Sequence, residues 1–158
     1  MKTRALLEIN WEKPKFKEEI NEYLKDKYAI NFFKNKYNLT LENDKACILF
    51  LEHGNSRVMD RVVVSRVLTE NLIIVKKDFQ AKLKDNNYKR LYEEMYEKLI
   101  DDGKLTLTSP ILVKFPNLYY GFAGNMKMNL AFNLDMPVCF WVVDYKEYIR
   151  SRPTKKKV

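Results

Sequence analysis

The sequence predicts an α/β (α+β) domain, a small mixed sheet with flanking helices behind an N-terminal helical extension. Three observations carry that prediction. Residues 118–143 read as an apolar strand from Leu118 to Ala123, a glycine turn opening a helix, and a second apolar run, Val138–Val143. Tyr88–Ile100 places Tyr88, Leu91, Tyr92, Met95 and Leu99 at helical spacing, with Gly103 just past the end, where a left-handed cap favours glycine. Ahead of these, short apolar runs alternate with helix-like stretches, as a layered α/β arrangement requires.

Taken in order, Pro14 and Glu18-Glu19 open a helix near Lys15–Tyr37, with Phe16, Ile20, Leu24, Phe32 and Phe33 as its apolar stripe. After the turn-like Glu42–Lys45, the apolar run Ala46–Leu51 is expected to be a buried strand. Arg57–Leu68 carries mixed signals. Val62–Val64 favour a strand, whereas Asn55 or Ser56 as a cap, with Val58, Arg61, Val62 and Ser65 on successive turns, favours the helix we assign. Leu72–Val75 reads as a strand. Ser109-Pro110 then begins a hairpin that turns at Pro116-Asn117. Residues 1–149 are expected to form one domain, and 150–158 a disordered basic tail.

The chemistry concentrates at Gly124-Asn125-Met126-Lys127. A strand–glycine–helix turn points backbone N–H groups and the positive end of a helix dipole at one spot, and Lys127, one turn in, adds a full charge. That arrangement suits a phosphate. The competing reading makes Gly124 a tight-turn residue and Lys127 a solvated helix residue. Asn129 and Asn133, four residues apart, share a helix face and are candidates to bind polar groups of a ligand or partner. A shorter echo, His53-Gly54-Asn55-Ser56-Arg57, follows the strand-like Cys47–Leu51 and is a second candidate turn, with Gly54, Asn55 and Arg57 as its phosphate-binding residues.

Residues 88–143 resemble the ParB/sulfiredoxin-like superfamily. The resemblance rests on Tyr88–Gly103 as a helix ending in glycine, Pro110-Ile111-Leu112-Val113 as a strand, Tyr119-Tyr120 in the return strand, Gly124–Lys127 at the loop, Leu130-Ala131 in the helix, Leu134-Asp135 at a turn, and Pro137-Val138 opening the last strand. It is similar above all to small phage and bacterial proteins with Gly-Asn-Thr-Arg-Leu at the turn, and it covers about a third of the chain. The resemblance implies a loop that cradles the phosphates of a nucleotide such as CTP or ATP, with magnesium. This chain departs from the pattern at three points. Lys127 replaces the usual arginine and loses its planar fork. No cysteine stands in the loop, so sulfinic-acid reduction is not expected. Met126 occupies a position where hydrolytic or kinase relatives carry histidine.

Composition bounds the rest. The chain has 158 residues, 29 Lys+Arg against 21 Asp+Glu, a net charge of +8 and a sequence pI near 9.3, which attracts polyanions including nucleic acid. Arg150, Arg152, Lys155, Lys156 and Lys157 crowd the last nine residues as a candidate nucleic-acid-binding tail. The apolar runs are too short to span a bilayer and no signal segment opens the chain, so a soluble protein of the cytoplasm, or of a host cell's cytoplasm if phage-encoded, is expected. Cys47 and Cys139 lie in apolar strand-like runs without metal-ligand spacing and are expected to be buried free thiols. His53 is the single histidine, so a zinc or iron site would need carboxylates alone to complete it, and no residue is assigned as a metal ligand.

The function expected from these features is a nucleotide- or nucleic-acid-binding accessory protein, phage-like, binding rather than turning over its ligand. Two alternatives stand beside it. One is a nuclease or nucleotide-dependent phosphotransferase on the same fold, for which Glu52, Asp60, Asp101, Asp102 and Asp144 are the candidate carboxylates. The other is an inhibitor that binds a host protein.

Overall fold

The computed structural model describes residues 7–60, 72–74, 85–116 and 118–151. The elements run β1 (Glu8–Glu12), α1 (Phe16–Glu19), α2 (Asn21–Lys25), α3 (Lys27–Tyr37), α4 (Asp44–Leu51), β2 (Asn55–Met59), β3 (Leu72–Ile74), α5 (Asn86–Asp102), β4 (Lys104–Thr108), β5 (Ile111–Lys114), β6 (Leu118–Ala123), α6 (Asn125–Asn133), β7 (Val138–Asp144) and α7 (Tyr145–Ser151). The main sheet has the order β2-β7-β5-β6-β3, and β1 pairs with β4 in a separate parallel ribbon. Within the main sheet β5 runs antiparallel to β6 but parallel to β7, β2 antiparallel to β7, and β3 parallel to β6. The fold is therefore mixed α+β, as its sequence predicts. No helix among the described residues is long and apolar enough to cross a membrane.

The central strands β5 and β7 are buried on both faces, which is why β7 reads as an unbroken apolar run rather than an alternating one. Ile111, Val113, Tyr120, Phe122, Trp141 and Val143 point into one core with α1–α4, while Leu112, Tyr119, Val138, Phe140 and Val142 point into the other, with Ala131 of α6. This two-residue alternation is the strand period expressed in packing. The first core is dense in aromatic rings. Phe33, fully buried, meets Tyr23, Phe32, Phe115 and Tyr120 at centroid separations of 5.4, 6.1, 5.2 and 4.9 Å. Leu99 of α5, Leu105 of β4, Leu130 of α6 and Leu134 just past its end form a third cluster.

Several elements match the sequence reading. Helix α5 spans the expected stretch and ends at Gly103 in the left-handed region, φ +77°. Strands β5, β6 and β7 and helix α6 fall where their residues predict them. Leu72–Ile74 is the expected strand, although Val75 lies outside the described residues. The corrections are as instructive.

The run Ala46–Leu51 is helical, not a strand. Asn43 caps α4 by accepting from the Ala46 amide at 2.9 Å, and Asp44 sits in the first turn; a short apolar run is ambiguous in period, and the cap decided it. The expected long helix at 15–37 is three short ones. Asp26 takes an extended conformation (φ −102°, ψ 91°), ends α2 and caps α3 through the Ala29 amide at 3.1 Å.

Asn55–Met59 is a strand, against the helix assigned from Arg57 onward, because β7 offers it an antiparallel partner. Residues 61–68 of that assignment lie outside the described residues. Strands β1 and β4 have no counterpart in the sequence reading, though Ile9/Trp11 and Leu105/Leu107 alternate as strands do. Leu91 is exposed at 42% rather than core-facing. Helix α7 carries Arg150 and Ser151, so an irregular tail does not begin at 150; Arg152, Lys155, Lys156 and Lys157 lie outside the described residues, as does Asn117 of the expected turn.

Candidate functional site

Gly124 links β6 to α6 with φ +86° and ψ +21°. An L side chain is strained in that region, and the space is also closed: a Cβ built on Gly124 would lie 2.6 Å from Pro110 Cα and 2.8 Å from its Cβ. The β4–β5 connection thus passes directly beneath the turn. Gly124 provides no side-chain cap for α6, so the first N–H groups of a nine-residue helix, which have no carbonyl one turn back, open at the turn.

The turn lines a cleft of about 590 Å³. Its apolar surfaces come from Leu112, Phe122, Met126, Met128 and Phe140 on the sheet and α6, and from Leu91 and Met95 on α5. Tyr88 also lines it, with its hydroxyl pushed up to about 12 by burial and by nearby Tyr92, so it stays a neutral phenol. The rim is acidic. Glu18, Glu19 and Glu22 from the α1–α2 segment and Asp85 before α5 all contribute to the wall.

Lys127 is largely sheltered, its side chain 22% exposed. Its ammonium donates to Thr108 Oγ1 at 2.5 Å and to Glu19 Oε1 at 3.5 Å. This excludes the reading of Lys127 as a solvated surface residue. Glu19 and Thr108 are the neighbours of Lys127 that sequence reasoning missed. Glu18-Glu19 does stand in the sequence as a helix-opening signal, but its facing α6 comes from contacts 108 residues apart. Thr108 arrives at the end of β4, whose register with β1 is Glu12↔Thr108, followed by a Ser109 amide bonded to the Glu12 carbonyl at 2.8 Å.

The other predicted site residues are dispersed. Asn125 is the first residue of α6. Asn129 and Asn133 do share a helix, but neither lines the cleft; Asn133 donates to Tyr92 OH at 2.9 Å and ties α6 to α5. The second candidate turn is inverted in order, running helix–turn–strand from α4 into β2, so Gly54, Asn55 and Arg57 present no helix N-terminus. Gly54 is glycine for a different reason: a Cβ there would overlap the Trp141 indole, 2.7 Å from Cε2, and the indole N–H donates to the Leu51 carbonyl at 2.8 Å. His53 sits against the Tyr148 ring at 5.0 Å and beside Ser151 Oγ at 3.3 Å, away from the cleft-lining residues.

Of the candidate carboxylates, Asp144 caps α7 through the Lys146 and Glu147 amides at 2.9 and 3.3 Å, and Glu52, Asp60, Asp101 and Asp102 do not line the cleft either. Both cysteines are free. Cys47 is fully buried, on α4 rather than a strand, with its thiol pushed up to about 11 by burial and by Asp44, while Cys139 in β7 is only half-buried. Among the described residues no group of three or more His, Cys, Asp or Glu side chains is arranged to hold a metal ion. No family model, curated protein or solved structure matches this chain.

Proposed function

We propose that the chain is a nucleotide-binding accessory module, of the cytoplasm, whose ligand places a phosphate at the Gly124 turn and its ring system on the apolar surfaces of the cleft. The observation that carries this reading is the strand–glycine–helix turn opening, with Lys127, into a 590 Å³ cleft, a size in the range of small-ligand sites. The resemblance to the ParB/sulfiredoxin-like superfamily supports the same ligand class. The cleft's charge refines it. Four carboxylates, Glu18, Glu19, Glu22 and Asp85, stand against Lys127, so a bare polyphosphate meets net repulsion. A magnesium-chelated nucleotide carries less charge, and magnesium is commonly held by one or two carboxylates together with the substrate's own phosphates. We read the module as binding without turnover, since Met126 stands at the position of the hydrolytic histidine and His53 is elsewhere.

Titration with ATP and CTP, with magnesium and with EDTA, tests the reading. Binding is expected to be tighter with magnesium and to raise the melting temperature. Lys127→Ala is expected to weaken it about tenfold, the loss of a charge-assisted bond of roughly 1.5 kcal/mol, while leaving the circular dichroism spectrum unchanged. Affinity that Lys127→Ala does not move rules out the phosphate role.

The net charge of +8 favours a second, separate contact with nucleic acid. Because the cleft is acidic, that contact belongs to the outer surface. Affinity for a DNA duplex should fall steeply with salt as counterions are released, and removing residues 152–158 should flatten the slope. An interaction indifferent to salt, or absent at low ionic strength, would instead favour the host-protein reading.

A further inference from the structure

Glu19 and Lys127 form a contact that the proposed ligand would have to break. We infer that Glu19 is a built-in competitor of the ligand: its carboxylate occupies the ammonium of Lys127 in the free protein, and an incoming phosphate displaces it. This rests on the nucleotide-binding reading above and adds how that site selects and regulates its ligand.

The two bonds of Lys127 differ in kind. The one to Thr108 Oγ1, 2.5 Å, is short and anchors the ammonium to the end of β4. The one to Glu19, 3.5 Å, is at the outer limit of a hydrogen bond and geometrically weak. Exchanging the second costs little while the first keeps Lys127 in place. The backbone behind Glu19 is also fixed. Phe16, Ile20 and Tyr23, on either side of it, are buried in the first core, so the α1–α2 segment need not move and only the glutamate side chain swings. Glu19 is the inner carboxylate of the rim, its side chain 20% exposed, whereas Glu18 and Glu22 are exposed.

The exchange gives selectivity. A monoanion replaces one charge by another at Lys127 and gains little. A nucleotide phosphate that also meets the amides at the start of α6 and buries its ring on the cleft's apolar surface gains what the carboxylate cannot. The Glu19 contact thereby biases the site toward ligands that gain more than one charge contact at Lys127, over free phosphate and other small anions.

The test uses the full chain and the magnesium and EDTA forms of ATP at about 0.15 M salt, where interactions between exposed charges are screened. Glu19→Gln is expected to tighten ATP binding about two- to fivefold, the range by which a partly exposed ion pair is worth breaking, and the gain should be largest in EDTA. Glu18→Gln and Glu22→Gln remove the same charge from the rim without touching Lys127 and should change affinity clearly less. In a Lys127→Ala background, Glu19→Gln should give no gain. If ATP binds the wild type and Lys127→Ala weakens it, but Glu19→Gln does no more than Glu18→Gln, the displacement is refuted and the nucleotide reading survives. If no variant binds ATP with or without magnesium, both are overturned.

Discussion

Gly124→Val should abolish ligand binding and destabilise the protein by about 3 kcal/mol or more, the sum of two independent penalties. The first is conformational. At φ +86° a β-branched residue is strained, because Cβ crowds the following carbonyl. The second is steric. The new Cβ would lie 2.6 Å from a backbone atom of Pro110, and backbone cannot swing aside as the tip of a side chain can. Relief requires β6 and α6 to move away from the β4–β5 connection, which also carries Thr108 away from Lys127. Urea denaturation should show a lower midpoint, and titration with magnesium ATP should show no binding even well below the melting temperature. Gly124→Ala, which keeps the steric clash but lacks the branch, should fall between. Wild-type stability in the valine variant would mean the turn has no such constraint.

Gly54→Val is the second large effect, and it separates packing from function. Gly54 is buried between α4 and β2 with a Cβ-sized space filled by the Trp141 indole. That indole is itself nearly buried, packs on Phe16 at 5.7 Å and donates to the Leu51 carbonyl at 2.8 Å. Any side chain at 54 must push the ring off that hydrogen bond and loosen the contact of β7 with the aromatic core. Overpacking costs typically 1–3 kcal/mol, and leaving the buried indole N–H unpaired adds about 1–3 kcal/mol. Tryptophan fluorescence and a denaturant midpoint would register both. Affinity per folded molecule at the Gly124 cleft should stay near wild type, because Gly54 is not among its lining residues. A selective loss of nucleotide binding with intact stability would restore Gly54 as a site residue.

The chain's local signals reached different depths. Most of the C-terminal half, β4 excepted, was legible because its boundaries have their own chemical marks: Gly103 as the left-handed cap of α5, Gly124 at the β6–α6 turn, and apolar strands whose neighbours cover both faces. The N-terminal half misled where one pattern served two periods. Six apolar residues at 46–51 fit a buried strand as well as a buried helix, and only the Asn43 cap distinguishes them. Asp26 broke a continuous helical stripe by capping a new helix within it, which a count of apolar spacing does not register.

The sequence by itself determined the mixed α+β class, the strand–glycine–helix turn and the presence of one cation at its start, since turn chemistry and hydrophobic period act over a few neighbouring residues. Tertiary structure decided what that cation faces. Lys127 meets Thr108, 19 residues away, and Glu19, 108 residues away, and the acidic rim comes from α1, α2 and the residue before α5. No local rule connects them. Their meeting depends on β1 pairing with β4 and on the α1–α2 segment burying Phe16, Ile20 and Tyr23 in the aromatic core on one face of the main sheet, long-range contacts that exist only once the chain has packed.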